Sequence, residues 1–349
     1  MNRVLVRIAA ADGTDETRIG IGLSKPLPPD AAPPGHRRRP APEMSRLLRG
    51  AVAAGLVLAA MPATQALAHA VCGNRVFPAT LVMDDPGVSD ELSLPTVLYT
   101  PIPAANGSPS GHSVDYGYEV DKTITRDLGI AINGDYFTQR LPGQTLNGWD
   151  NVTVTLKDAV PCNEPHEFMM AVGVIREFGG TGSSQLLNAG VVDSVSNTAP
   201  TLYVGKGMGD LPIGYFRPFA VTGELGYQLS DSPGITPNQW NWAASLQYSM
   251  PYIQQHIKAL DVPNFMTRLI PLVETSFSTP AHGLTTGTIS PGILYLANTW
   301  QLGAEAMIPA NGATARSQGT GFIFQFHIFL DDMFPRSIGR PLINRDLWQ

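Results

Sequence analysis

Charge is scarce in this chain. Asp, Glu, Lys and Arg make up 15% of its 349 residues, against about 25% in an ordinary soluble domain. That shortfall excludes a highly charged disordered chain and argues against a Lys/Glu-rich helical enzyme. Long hydrophobic runs are missing too. The apolar stretch Ala51–Met61 is about half the 20 or so residues that a membrane-spanning helix needs, so a helical membrane protein is excluded. Two cysteines, Cys72 and Cys162, are too few for a zinc module or a disulfide scaffold. A net charge of -6 removes any general case for nucleic acid. Gly (35) and Pro (30) are plentiful, as in a chain that turns often.

Catalytic signatures are also missing. Beyond residue 68 there is no GxSxG, HExxH, CxxC, P-loop or dinucleotide fingerprint. His69, His112, His166, His256, His282 and His327 are scattered, and His166-Glu167 lacks the second histidine of a zinc motif. The stretches 175–184 and 204–215 are Gly-rich but open no evident helix, so they read as turns. No metal, cofactor or enzymatic activity is expected.

Residues 1–43 end in KPLPPDAAPPGHRRRPAPE, an extended, solvated composition. From Met44 a secretory signal peptide is expected over 44–68. Arg46 and Arg49 form its basic start, Ala51–Met61 its apolar centre, and Ala66-Leu67-Ala68 its small-residue cleavage site. Translation starting at Met44 would make 1–43 a mispredicted extension. Excising 1–68 removes nine basic and five acidic residues and leaves a net charge of about -10. In an oxidising compartment Cys72 and Cys162 are a candidate disulfide.

From about Glu91 the chain alternates apolar and polar residues in short segments, as in Trp240–Met250, Trp300–Ile308 and Phe322–Leu330. Period-two alternation gives a strand one apolar face. About twelve strands are expected: roughly 92–101, 113–125, 129–140, 151–160, 166–178, 198–208, 213–229, 240–250, 268–278, 288–296, 299–309 and 320–331. One set of connections is short. The other set (102–112, 141–150, 179–197, 230–239, 279–287 and 310–319) is long and polar, and 251–267 carries helical spacing. This layout predicts an all-β fold: an antiparallel transmembrane β-barrel of about twelve strands with a short periplasmic helix. Closure is required because lipid offers no partner to a free strand edge. The expected domains are a periplasmic N-terminal segment at 69–91, the barrel at 92–332 and a periplasmic tail at 333–349.

With apolar faces toward lipid, the opposite residues line a lumen. The candidates are Asp115, Glu119, Asp135, Lys157, Glu167, Glu224, Gln247, Glu274, Glu305 and His327. Carboxylates outnumber bases, so such a lumen would favour cations. Arg140, Arg176, Lys206 and Arg217 are available to neutralise it instead, with Arg217 re-aimed by a bulge near Pro218.

The blocks 72–97, 172–182, 211–229 and 322–332 (CGNRVFPATLVMDDPGVSDELSLPTV, VGVIREFGGTG, LPIGYFRPFAVTGELGYQL and FIFQFHIFLDD) resemble uncharacterised proteobacterial outer-membrane barrels. These are similar in layout to putative transporters of the meta-pathway phenol-degradation family. The resemblance spans about 72–335 and implies no catalytic or ligand residues. The usual barrel ends on an aromatic strand, whereas Met333–Gln349 follows that strand here. The expected function is passive or facilitated passage of small solutes through an outer-membrane barrel. Its partners would be outer-membrane lipid, the solutes and the barrel-assembly machinery. A closed structural or surface-interaction barrel and a secreted soluble β-protein are the alternatives.

Overall fold

The computed structural model describes residues 70–104 and 110–343. The proposed extension, signal peptide, His69, the tip of the 103–110 loop and residues 344–349 lie outside the described residues.

A hairpin of β1 (Ala70–Cys72) and β2 (Arg75–Phe77) opens the described chain. Thirteen further strands make one sheet. They are β3 (Glu91–Ile102), β4 (Gly111–Thr123), β5 (Leu128–Leu141), β6 (Gln144–Trp149), β7 (Val152–Asn163), β8 (Phe168–Phe178) and β9 (Asn197–Gly207). Then come β10 (Phe219–Ser230), β11 (Gln239–Tyr248), β12 (Leu269–Pro280), β13 (Thr286–Leu296), β14 (Trp300–Pro309) and β15 (Gly321–Phe329).

Every pairing is antiparallel, and within the sheet consecutive strands pair with each other except β6 and β7, which both pair with β5. The last strand, β15, pairs with β3 (Phe322 opposite Tyr99), and β4 pairs with β5. The ring therefore closes with twelve strands, and among the described strands of the sheet only β6 has a side without a strand partner. β6 adds no thirteenth stave. It pairs with the far half of β5 while β7 pairs with the near half, so β6 and β7 form one stave broken at Asp150-Asn151.

The expected strands match these closely, with two corrections. The expected loop 141–150 is the β5–β6 hairpin, whose turn is Pro142-Gly143. Gly143 has φ +79, so proline followed by a left-handed glycine makes a type II turn that a two-residue connection accepts. The expected strand 213–229 begins at Phe219. Gly214–Phe216 is a 3-10 turn, and Arg217 caps it. Arg217 therefore sits in a connection, where its Nε donates to the Leu211 carbonyl at 2.7 Å. No bulge is needed to re-aim it.

One end of the barrel carries the connections 124–127, 164–167, 208–218, 249–268 and 297–299, and is called the turn end below. The other carries 103–110, 142–143, 179–196, 231–238, 281–285 and 310–320, the loop end. Segregation by length is incomplete, because 249–268 is as long as any loop. It holds the expected short helix, α1 (Met250–His256), with Ser249 Oγ accepting from Tyr252 N at 3.2 Å. At the loop end the 179–196 connection holds helix α2 (Ser184–Asn188), whose Leu186 packs with Phe137 and Val192.

Alternation sends apolar side chains outward. Leu225 (45% exposed), Trp242 (40%) and Phe324 (52%) face out, as do Val172, Leu246 and Ile293. Their chain neighbours Glu224, Asn241 and Gln325 are buried inside. A protein with its apolar side outside and its polar side inside is built for lipid.

Candidate functional site

Much of one end of the barrel interior is filled by the chain itself. Residues 70–90, from the N-terminal segment expected at 69–91, fold inside the turn end and are called the plug below, with contacts on several walls.

The plug's first anchor is Arg75, 1% exposed, at the end of the β1–β2 turn. Its guanidinium donates to Glu167 Oε2 at 3.3 Å and to the carbonyls of Pro218 (3.0 Å), Phe219 (3.2 Å) and Arg217. It also lies over the Tyr252 ring, 4.1 Å from the centroid. Glu167 sits at the β7–β8 turn in a left-handed conformation, φ 46. Besides Arg75 it accepts from Tyr252 Oη (2.9 Å) and the Gly209 N–H (3.0 Å). Planar bidentate-capable arginine among carbonyls is a rigid lock. Burial pulls the Arg75 guanidinium down from its usual value while Glu167 and Tyr252 hold it up. Burial, with Glu167 beside it, pushes the Tyr252 phenol up to about 12.

The second anchor is at Ala79–Val82. Gln301 Nε2 donates to the Ala79 carbonyl at 2.6 Å, and Glu274 Oε2 accepts from both Leu81 N and Val82 N at 3.0 Å. Leu81 and Val82 then bury themselves against inward-facing Ile270, Leu272, Leu294, Leu296, Met307, Ile323 and Phe329. Gly303 permits this approach: a Cβ there would fall 2.4 Å from Leu81 Cδ1.

The third anchor is ionic. Lys157 Nζ pairs with Asp84 at 2.7 Å and donates to the Asp85 carbonyl at 3.1 Å. Lys122 pairs with Asp90 at 2.6 Å, and Asp90 Oδ1 accepts from Thr123 N and Oγ1 at 2.5 and 2.7 Å. Burial pushes the Asp85 carboxyl up to about 7, Lys157 opposing and Glu91 and Asp84 adding to the rise. A small cleft of about 30 Å³ lies beside this stretch, lined by Asp85, Glu119, Asp121, Lys157 and His327.

The ten expected lumen residues all have largely buried, inward side chains, but their partners differ from those expected. Glu167, Lys157 and Glu274 hold the plug. His327 Nε2 meets Glu91 at 2.5 Å and its Nδ1 meets Ser93 Oγ at 2.7 Å. Glu119 accepts from Asn133 Nδ2 at 3.1 Å, Gln247 donates to Thr222 Oγ1 at 3.4 Å, and Glu305 lies beside Glu274. Glu224 stands against the plug backbone at Asp84. Asp115 and Asp135 face in from the middles of β4 and β5. The four bases expected to neutralise the lumen do not enter it. Arg176 pairs with Asp231 and Lys206 with Asp210, both at barrel ends, and Arg140 is exposed.

Cys72 and Cys162 come together. Cys72 is buried, and Cys162 packs against its cluster with Ala70, Phe77, Met169 and Ala220. Burial, together with the neighbouring Cys162 thiol and Glu164, pushes the Cys72 thiol up to about 12.

Toward the loop end the interior changes character. Gln228 Nε2, Asn241 Oδ1 and the hydroxyls of Ser245, Ser278, Thr288 and Ser290 have no partner among the described residues. Buried polar atoms are ordinarily satisfied, so this wall calls for water or a polar solute. A closed barrel with lipid-facing apolar residues and such a wall is an outer-membrane β-barrel.

No family model matches the chain, and no curated protein matches it. Among solved structures it is similar to the KdgM porin, with 12% identity and a TM-score of 0.39 over 67% of this chain and 98% of that one. It is similar to the NanC porin at 10% identity and TM-score 0.41, over 68% and 98%. An outer-membrane channel from Pseudomonas putida F1 gives 10% identity and 0.45, over 73% and 99%.

Proposed function

We propose that this barrel passes small polar solutes across the outer membrane, without energy coupling, and that residues 70–90 restrict that passage at the turn end. The observation that carries the reading is the polar wall formed by Gln228, Asn241, Ser245, Ser278, Thr288 and Ser290. A barrel whose interior only had to be filled would repack those positions with apolar side chains at lower cost. Asp115, Glu119, Asp135, Glu224 and Glu305 along the same interior would bias the path toward cations.

In this reading the turn end faces the periplasm, a signal peptide over 44–68 delivers the chain, and the assembly machinery inserts it into lipid. The chain does no chemistry. Kinship with the phenol-degradation transporters rests on the four sequence blocks alone. A closed barrel is the second reading, favoured by the plug's three anchors.

Planar-bilayer recording of refolded protein separates the two. Conduction predicts discrete steps above the bare membrane, enlarged when residues 70–82 are destabilised. No current from either the intact barrel or the destabilised variant would establish the closed reading.

A further inference from the structure

We infer that Cys72 and Cys162 are joined by a disulfide in the exported protein, tethering the plug covalently to the barrel wall. The plug hairpin and the β7–β8 turn bring the two residues together. Cys72 Sγ donates to the Phe168 carbonyl at 3.4 Å, and Phe168 is the ladder partner of Asn163, next to Cys162. Between Val160 and Asn163 the β7–β8 register shifts, so Cys162 lies in an irregularity where its side chain is free to turn toward the interior. There it packs against the cluster around Cys72, both thiols being free in this structure.

The hairpin turn fixes the approach. A Cβ on Gly73, φ +61, would lie 2.4 Å from the Glu164 carbonyl oxygen, so only glycine lets the hairpin rest this closely on the β7–β8 turn. A metal is a poorer reading, since no group of three or more His, Cys, Asp and Glu among the described residues is arranged to hold one.

The balance is simple. The two thiols give up two protons and two electrons to an oxidised dithiol oxidase of the exported compartment. One sulfur–sulfur bond forms here, one breaks in the oxidase, and the oxidase leaves as a dithiol. The bond itself is independent of the transport reading. Its consequence for passage rests on that reading: a tethered plug loosens without leaving.

The test needs no current. Protein is isolated from membranes with free thiols trapped at lysis by a maleimide. Neither cysteine is expected to label until the protein is reduced, and the intact mass rises by two hydrogens on reduction. Label on both thiols beforehand, with no crosslink formed by added oxidised glutathione, overturns the pairing. Amide exchange of residues 70–77 is then compared before and after reduction. Exchange is expected to speed at least tenfold on reduction in the native protein and to be unaffected by reductant in C162S, which leaves the buried Cys72 in place. Equal protection before and after reduction overturns the tether. A silent barrel with an intact disulfide would count against conduction only.

Discussion

Arg75→Ala is the sharpest perturbation that the structure offers. The guanidinium is 1% exposed, bonded to Glu167 and to the Pro218 and Phe219 carbonyls, and stacked on Tyr252. Removing one partner of a buried ion pair costs about 3–5 kcal/mol, because the survivor keeps its desolvation penalty. Here Glu167 retains Tyr252 Oη and the Gly209 N–H, which argues for the lower half of that range. Loss of the stacked cation adds about 1 kcal/mol, while three carbonyls lose a charged donor. Some 4–5 kcal/mol corresponds to a shift of about 10³-fold or somewhat more between seated and unseated plug.

Hydrogen exchange reads this directly. Amides of residues 70–82 are expected to lose protection by about that factor, while amides in the middle of β10 and β11 are unaffected. Glu167→Gln in the same chain is expected to restore part of the loss. A glutamine can accept from Gly209 N through its oxygen and donate to the Tyr252 oxygen, with no charge left buried. Breaking the solvent-exposed Lys206–Asp210 pair by Lys206→Ala serves as the surface control, with little effect expected on the 70–82 amides. If Arg75→Ala leaves the 70–82 amides as protected as before, or if the double variant is worse than the single, the lock is not what seats the plug.

Leu81→Ala empties a site bounded by Leu294 and Gly303, so seating should weaken by about 2–4 kcal/mol, read as faster exchange of 79–83. For pH the sign follows from Asp85, held near 7 in the seated plug against an ordinary 3.8. Seating takes up a proton in that window, so it strengthens as pH falls from 8 toward 5 and weakens as pH rises through 7. Channel current at pH 8 should exceed that at pH 6, and a difference that survives in Asp85→Asn would refute the assignment. Glu224→Gln with Glu305→Gln should lower cation preference, measured as a reversal potential nearer zero in a salt gradient. An unchanged potential would put both outside the path. Raising salt should speed exchange at 84–90, where Lys157 and Lys122 hold the plug, more than at 79–82, where apolar contact does; equal effects would argue against two kinds of attachment.

The barrel was legible because lipid and lumen impose opposite polarities on alternate residues. Trp240, Trp242 and Leu246 against Asn241, Ser245 and Gln247 can be read without any structure, and the closed ring leaves that pattern no other use. The hairpin at Pro142-Gly143 was less legible, since Thr145–Trp149 lacks a clean apolar face and its far half of β5 pairs beyond the main ladder. The carboxylates were found by position, but their partners were not. Glu274, Glu167 and Lys157 meet residues 193, 85 and 73 positions away, and alternation says nothing about contacts at that distance.

A signal for the plug was nevertheless present in the strands themselves. Leu269-Ile270-Pro271-Leu272-Val273 and Ile293-Leu294-Tyr295-Leu296 are apolar at consecutive positions, and Met307 and Ile308 continue the pattern in β14. A strand with lipid on one face and water on the other has no reason to be apolar on both. Continuous apolar runs mark strands covered on two sides. The outward members of these runs face lipid, as Val273 and Ile293 do. The inward members, Ile270, Leu272 and Leu294, therefore require an apolar partner inside the barrel, and Leu81 and Val82 supply it. On β10 and β11 the inward positions are Thr222, Glu224, Asn241, Ser245 and Gln247, and there the requirement is reversed. The inner wall is thus divided: Ile270, Leu272, Leu294 and Leu296 form a fixed apolar seat for the N-terminal segment, while Gln228 and Asn241 with Ser278, Thr288 and Ser290 form a polar face. A solute crossing this barrel would have to follow the polar face, past the ionic side of the plug at Asp84 and Lys157.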